Sequence, residues 1–240
     1  MAQRPLSGRC IVTTRDRRGR LDSQLATAGA DVVHVPLISI EPSTDGRLAA
    51  ALADVGSFDW LVVTSQHGAR RVGDAAARQS VRLAAVGSRT AAVLERLAGR
   101  SVDVVPERQT ATHLAAAMGV HRGRVLVAQS DRADTTLVDG LADHGFDVEA
   151  VTAYRNELRI PTWQERRAVL SADAVAFASG SAVEAWADAI GAETPPVVAA
   201  IGPTTSAAAD ARGLKVTHVA ADHDVEGLVA VVIAALAPSS

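Results

Sequence analysis

Short apolar runs alternate with longer stretches of mixed polarity along the whole chain. The run Cys10-Ile11-Val12 falls in a strand expected over 9–14, and 21–28, closed by Gly29, has the spacing of a helix. The same alternation predicts strands at 31–35, 59–63, 82–86, 102–105, 125–128, 147–152, 174–178, 197–201 and 215–219. Helices are predicted at 46–55, 66–77, 90–97, 111–118, 135–144, 163–170, 182–190, 205–211 and 225–235. Two further stretches read as exposed strands: 37–41, which alternates and ends at Pro42, and 153–160, extended and mixed in polarity, stopped by Pro161. Strands alternating with helices at this spacing predict a parallel α/β architecture. Pro238-Ser239-Ser240 reads as a disordered tail.

The pattern also repeats itself. Leu83-Ala84-Ala85-Val86-Gly87-Ser88-Arg89-Thr90 is echoed by Val198-Ala199-Ala200-Ile201-Gly202-Pro203-Thr204-Thr205, with the two glycines 115 positions apart. The run from Phe58 to Ser65 resembles that from Ala172 to Ser179, and 9–32 resembles 124–148. Matches recurring in one order make the chain two similar α/β halves. In both echoes a buried strand stops at a glycine and feeds a helix, so unpaired N–H groups backed by a helix dipole point at whatever lies in front. Such junctions suit anions.

Composition narrows the classes. A length of 240 residues fits one large domain or two small ones, and 48% hydrophobic content with only 3% aromatic residues implies aliphatic packing. A formal net charge of −3 leaves no electrostatic footprint for nucleic acid. Lys215 is the only lysine among 24 basic residues, and guanidinium suits carboxylates better than ammonium does. A single cysteine, Cys10, excludes a disulfide framework and a cysteine zinc site. The first nine residues have no apolar signal segment and no stretch is long enough to span a membrane, so a soluble cytoplasmic protein is expected.

No dinucleotide fingerprint, Walker lysine, paired zinc-binding histidines or nucleophile elbow occurs. The seven histidines are scattered, His67, His113 and His144 on helix faces and His121 and His223 in loops, where solvated or capping roles suffice. Polar residues at strand ends remain: Thr14-Arg15, Thr64-Ser65-Gln66, Ser88-Arg89-Thr90, Gln129-Ser130-Asp131-Arg132, Ser179-Gly180-Ser181 and Pro203-Thr204-Thr205. Ligands of open parallel sheets sit outside the carboxyl ends of the strands, although N-capping alone would account for any one Ser or Thr. Hydrogen bonds to a charged acceptor contribute about 1.5–3 kcal/mol each, so several such donors could hold a polyanion without a basic patch.

Phe58-Asp59-Trp60-Leu61-Val62-Val63-Thr64-Ser65, Ala85-Val86-Gly87, Ala153-Tyr154-Arg155, Phe177-Ala178-Ser179-Gly180-Ser181, Ile201-Gly202-Pro203-Thr204-Thr205 and Val225-Glu226-Gly227-Leu228-Val229, in that order, resemble the uroporphyrinogen-III synthase family. The likeness implies a bilobed fold of two flavodoxin-like parallel-sheet domains joined by two extended linkers. Domain 1 would combine 1–35 with 161–240 and domain 2 would take 43–151, with 36–42 and 152–160 as linkers. It also implies closure of hydroxymethylbilane to uroporphyrinogen III with inversion of the last ring, loss of water, and no metal or cofactor; a monomer is expected.

By the same resemblance Tyr154 borders the reacting centre. Its reference pKa near 10 suits donating a hydrogen bond to the leaving oxygen better than full proton transfer; a half-buried linker aromatic is the plainer alternative. Ser65, Thr90, Ser179, Thr204 and Thr205 would bind substrate carboxylates with the backbone of Gly87 and Gly202. Arg15, Thr64, Ser88, Ser130, Arg132, Gly180 and Ser181 complete the candidate set. Gln66-His67 and the bulky Arg89 depart from the pattern of many relatives. A non-catalytic binding or regulatory module is the alternative reading, and it would be expected to carry a DNA-binding helix-turn-helix, for which no room follows Ala235. A two-lobed solute-binding protein is a third.

Overall fold

The structure is a computed structural model and describes residues 4–120 and 122–236. His121 and the tail at 238–240, for which a loop and disorder were expected, lie outside the described residues. In chain order the elements are β1 (Cys10–Thr13), α1 (Arg20–Thr27), β2 (Asp31–His34), β3 (Ile38–Pro42), α2 (Arg47–Ala53), β4 (Trp60–Val63), α3 (Gln66–Arg78), β5 (Arg82–Ala85), α4 (Ser88–Ala98) and α5 (Ala111–Met118). There follow β6 (Arg124–Ser130), α6 (Thr136–Asp143), β7 (Asp147–Leu158), α7 (Trp163–Leu170), β8 (Ala174–Phe177), α8 (Gly180–Ala189), β9 (Val197–Ala200), α9 (Pro203–Ala211), β10 (His218–Val219) and α10 (Val225–Leu236).

The chain divides into two compact units. One takes the residues up to Ser39 and from Glu157 onward, and the other is the continuous stretch Ile40–Asn156. The sheet of the first runs β10-β9-β8-β1-β2 and that of the second β3-β7-β6-β4-β5. All pairs within the first sheet are parallel, as are β4 with β5, β4 with β6 and β6 with β7.

The repeat explains the order. In the first unit β2, β1, β8, β9 and β10 lie side by side, the doubly wound order 2-1-3-4-5 in which the switch point falls between β1 and β8. Shifting by the 115-residue repeat puts β6 on β1, β7 on β2, β4 on β8 and β5 on β9, so the second unit has the same order with its switch point between β6 and β4. Each unit is thus assembled from the front of one repeat and the back of the other.

Residue period two explains the packing. Along β1, Val12 joins one apolar cluster with Val175, Phe177 and Val198, while Ile11 joins another with Ala174, Ala176 and Ala199. In the second unit Leu61 and Val63 face one cluster and Trp60 and Val62 the other. Strands buried on both faces read as unbroken apolar runs, which is why these segments stood out in the sequence. Gly29 and Gly145 close α1 and α6 with φ of +101° and +91°, a conformation other residues rarely adopt.

Two expectations change. The strand foreseen at 102–105 reduces to one parallel bridge between Ala84 and Val104. The Asp103 carboxylate accepts the Leu83 N–H at 2.7 Å, so a side chain takes a place in the ladder, and Pro106 stops the extension. At the repeat-equivalent edge, β10 keeps only His218–Val219 of the strand expected over 215–219, because the Thr217 hydroxyl accepts the Val198 N–H at 2.9 Å. β7 runs without a break to Leu158, so the strand expected at 147–152 and most of the exposed extended stretch expected at 153–160 form one strand. The other exposed strand expected, at 37–41, is β3, the neighbour of β7 in the sheet.

Candidate functional site

A helix that follows a parallel strand starts at that strand's carboxyl end, and so do α2 and α7, which run back toward the strands they precede. The polar residues of each unit therefore collect on one edge of its sheet. In the first unit these are Thr14 and Arg15 after β1, Ser179, Gly180 and Ser181 after β8, and Gly202, Thr204 and Thr205 after β9. In the second they are Thr64 and Ser65 after β4, Gly87, Ser88 and Thr90 after β5, and Ser130 and Arg132 after β6.

Within the first unit, Ser179 caps α8: its Oγ accepts the Ala182 N–H at 3.3 Å and lies 3.1 Å from the Ser181 Oγ. Gly202 caps α9 in an extended conformation open to any residue, so glycine is there for space. A Cβ would stand 3.2 Å from the imidazole ring of His223. Thr205 is buried and Thr204 exposed. At the switch point Thr14 is 3% exposed, and its Oγ1 has no hydrogen-bond partner. Arg15 beside it is exposed.

Beneath Thr14 lies a network that spacing does not reveal. The Thr13 hydroxyl donates to Asp22 Oδ1 at 2.6 Å and lies 3.1 Å from His34 Nδ1, which is itself 3.4 Å from that carboxylate. The other Asp22 oxygen accepts the Gly19 N–H that opens α1. Burial lowers the pKa of His34, and Arg18 and Arg159 act in the same direction against the pull of Asp22 and Asp16.

In the second unit the same devices recur. Ser65 caps α3, its Oγ accepting the Gly68 N–H at 3.1 Å. Gly87 opens α4, and a Cβ there would meet Gln109 Oε1 at 2.6 Å. That carboxamide accepts the Ser88 N–H and donates to the Ser88 Oγ, both at 3.3 Å. Gln109 and His223 thus cover the two glycine junctions from nearly repeat-equivalent loops. Ser130 is engaged locally: its hydroxyl donates to Asp131 and accepts from the Asn156 side chain at 2.6 Å and from the Arg132 N–H. Burial works against ionisation of Asp131, but hydrogen bonds from Asn156 and Ser130 and the charge of Arg132 hold its carboxyl below the ordinary range.

Tyr154 owes its orientation to a bulge. Gln129 pairs with Thr152 but Ser130 with Tyr154, so β7 carries one extra residue there. Strict alternation would send Tyr154 to the face opposite Val151 and Ala153; past the bulge all three pack in the same cluster. Tyr154 is 7% exposed, less open than the half-buried aromatic weighed from the sequence, and its ring centroid is 5.4 Å from that of His67. The unexpected Gln66-His67 thus places an imidazole beside the one tyrosine. Among the described residues no group of three or more His, Cys, Asp or Glu could hold a metal ion, and no helix is long and apolar enough to cross a membrane.

Doubly wound parallel sheets with hydroxyl and N–H groups at their carboxyl edges place the chain in the doubly wound class of α/β proteins. Comparison with known proteins makes the family specific. The family described as "Uroporphyrinogen-III synthase HemD" matches residues 19–230, and the chain belongs to it. It is 30% identical over 244 aligned residues to the chloroplastic uroporphyrinogen-III synthase of Oryza sativa subsp. japonica, covering 94% of this chain and 80% of that one. A uroporphyrinogen-III synthase from Synechococcus elongatus is 33% identical over 117 residues, which span 45% of this chain and 44% of that protein. The fold is shared with the uroporphyrinogen-III synthetase structure from Helicobacter pylori, with a TM-score of 0.65 at 17% identity over 95% of this chain and 99% of that one. It is shared too with a mutant uroporphyrinogen III synthase from Thermus thermophilus, with a TM-score of 0.57 at 19% identity over 93% and 95% of the two chains.

Proposed function

We propose that this protein is a uroporphyrinogen-III synthase, closing the linear tetrapyrrole hydroxymethylbilane to uroporphyrinogen III with inversion of the last ring and release of water. The observation that carries the reading is the duplicated row of hydroxyl and backbone N–H donors at the sheet edges of a chain matched to this family over 19–230. The substrate bears many carboxylates and the protein a net charge of −3, so recognition falls to directed donors rather than to bulk charge.

Ser65, Thr90 and the Gly87–Ser88 backbone serve acid groups from the second unit, with Thr64 and Arg132 nearby. Ser179, Ser181, Thr204, Thr205 and the Gly180 and Gly202 backbone, with Arg15, serve them from the first. Ser130 acts through Asp131 and Asn156 by fixing the loop after β6. Tyr154 donates a hydrogen bond to the hydroxymethyl oxygen as its bond to carbon breaks, and ring closure then follows from how the chain of rings is held. The protein works as a monomer in the cytoplasm without a cofactor.

Incubation with enzymatically generated hydroxymethylbilane is expected to give the III isomer; formation of only the spontaneous I isomer would overturn the reading. In the same assay Tyr154→Phe is expected to lower turnover roughly tenfold or more, the size of one hydrogen bond to developing charge, with folding unchanged. An unaltered rate would remove Tyr154 from the reaction while leaving the synthase intact.

A further inference from the structure

The chain has seven Phe, Trp and Tyr residues, and six of them are buried: Phe58, Trp60, Phe146, Tyr154, Phe177 and Trp186. Trp163 is the exception, 72% exposed, and Ile160 three residues earlier is 63% exposed although Pro161 between them is buried. A solvated indole three positions from a solvated isoleucine stands apart in a protein that otherwise buries its aromatics.

Its position is fixed by an internal clamp. Arg159 donates from Nε to the Pro36 carbonyl at 2.5 Å and from both terminal nitrogens to Glu165 at 3.0 and 2.9 Å, while its N–H donates to the Leu37 carbonyl. The Leu37 N–H in turn donates to the Thr14 carbonyl. Thr162 and Glu165 form the capping box of α7, which satisfies the N–H groups of those two residues. Trp163 therefore sits next to the segment that follows β2, on the same sheet edge as Thr14, Ser179 and Gly202. One turn on, the guanidinium of Arg167 lies 5.7 Å from the indole centroid. Arg159 and Arg166 are paired with Glu165 and Glu193, whereas Arg167 has no carboxylate within ion-pair distance among the described residues.

We infer that Trp163 binds the substrate: its indole, with Arg167 over the ring, stacks on one pyrrole ring while Arg167 meets an acid group of that ring. An apolar aromatic face joined to an uncommitted guanidinium matches a carboxylate-bearing pyrrole, the repeating piece of the substrate in the proposed function on which this inference rests.

The test compares the purified wild type with Trp163→Ala and Trp163→Phe on enzymatically made hydroxymethylbilane, alongside thermal unfolding and sedimentation of each. Trp163→Ala is expected to raise KM roughly five- to tenfold, the effect of one stacked ring, with kcat changed by less than about twofold and Tm unchanged. Trp163→Phe restores most of the affinity. Unchanged KM in Trp163→Ala, with the III isomer still formed, overturns the inference and spares the synthase reading. Unchanged KM together with dissociation of a dimer overturns it too, assigning the patch to a second copy of the chain. A wild type that forms only the I isomer overturns the synthase reading and the inference with it.

Discussion

Thr13 carries one hydroxyl proton and stands between a carboxylate and an imidazole. At 2.6 Å from Asp22, an acceptor only, that proton goes to the carboxylate. The 3.1 Å contact with His34 then requires Nδ1 of the neutral ring to be the donor, which leaves Nε2 as the basic nitrogen. Burial holds the folded pKa of His34 below its ordinary value of 6.5, so the unfolded chain binds the proton more readily. The stabilisation is present in full above about pH 6.5 and is lost as pH falls toward the folded value. Urea unfolding of the wild type is expected to lose stability between pH 7 and 5, and His34→Gln to flatten that slope; parallel slopes would place the linkage elsewhere. None of this was legible beforehand, because positions 13, 22 and 34 meet only after three elements fold. The hydroxyl-bearing strand ends could be read, since a strand, a glycine and a helix are written consecutively. The inward turn of Tyr154 could not, because its bulge lies opposite Gln129-Ser130 and leaves no glycine to mark it.

Gly227 near the start of α10 shows how an element can hinge on a missing side chain. Its N–H donates to Asp224 Oδ1 at 2.8 Å, and a Cβ would come within 2.0 Å of the Asp222 carbonyl oxygen, a backbone atom that cannot step aside. Gly227→Ala is expected to cost on the order of 1–3 kcal/mol, lowering Tm by several degrees in a thermal melt. A Tm within a degree of the wild type would mean that the loop before the helix yields freely. Helix positions were largely legible because 3.6-residue periodicity belongs to the helix alone; α5 and α7 begin and end where the pattern placed them. Strand lengths were not, because the neighbour decides them. The mixed polarity of 153–160 marked extended chain but not its continuity with 147–152 in a single β7, while 102–105 yields its hydrogen bonds to the Asp103 side chain.

At the scale of the whole molecule, the unit Ile40–Asn156 is one uninterrupted stretch, while the other joins β1 and β2 to strands that begin only at Ala174. Periodicity revealed two similar halves but not this exchange, since a repeat looks the same whether its front pairs with its own back or with its twin's. The order of assembly follows from it. Contacts confined to one stretch form before those that close a long loop. In refolding, pulsed hydrogen exchange is expected to protect amides of β4 to β6 before those of β1 and β8; simultaneous protection would contradict this. During synthesis the asymmetry is sharper. β1 and β2 leave the ribosome early, yet the side of β1 that receives β8 stays an open edge until more than a hundred further residues have been translated. Translational pauses or truncations beyond Glu157 therefore leave a finished module attached to an unfinished, association-prone leader.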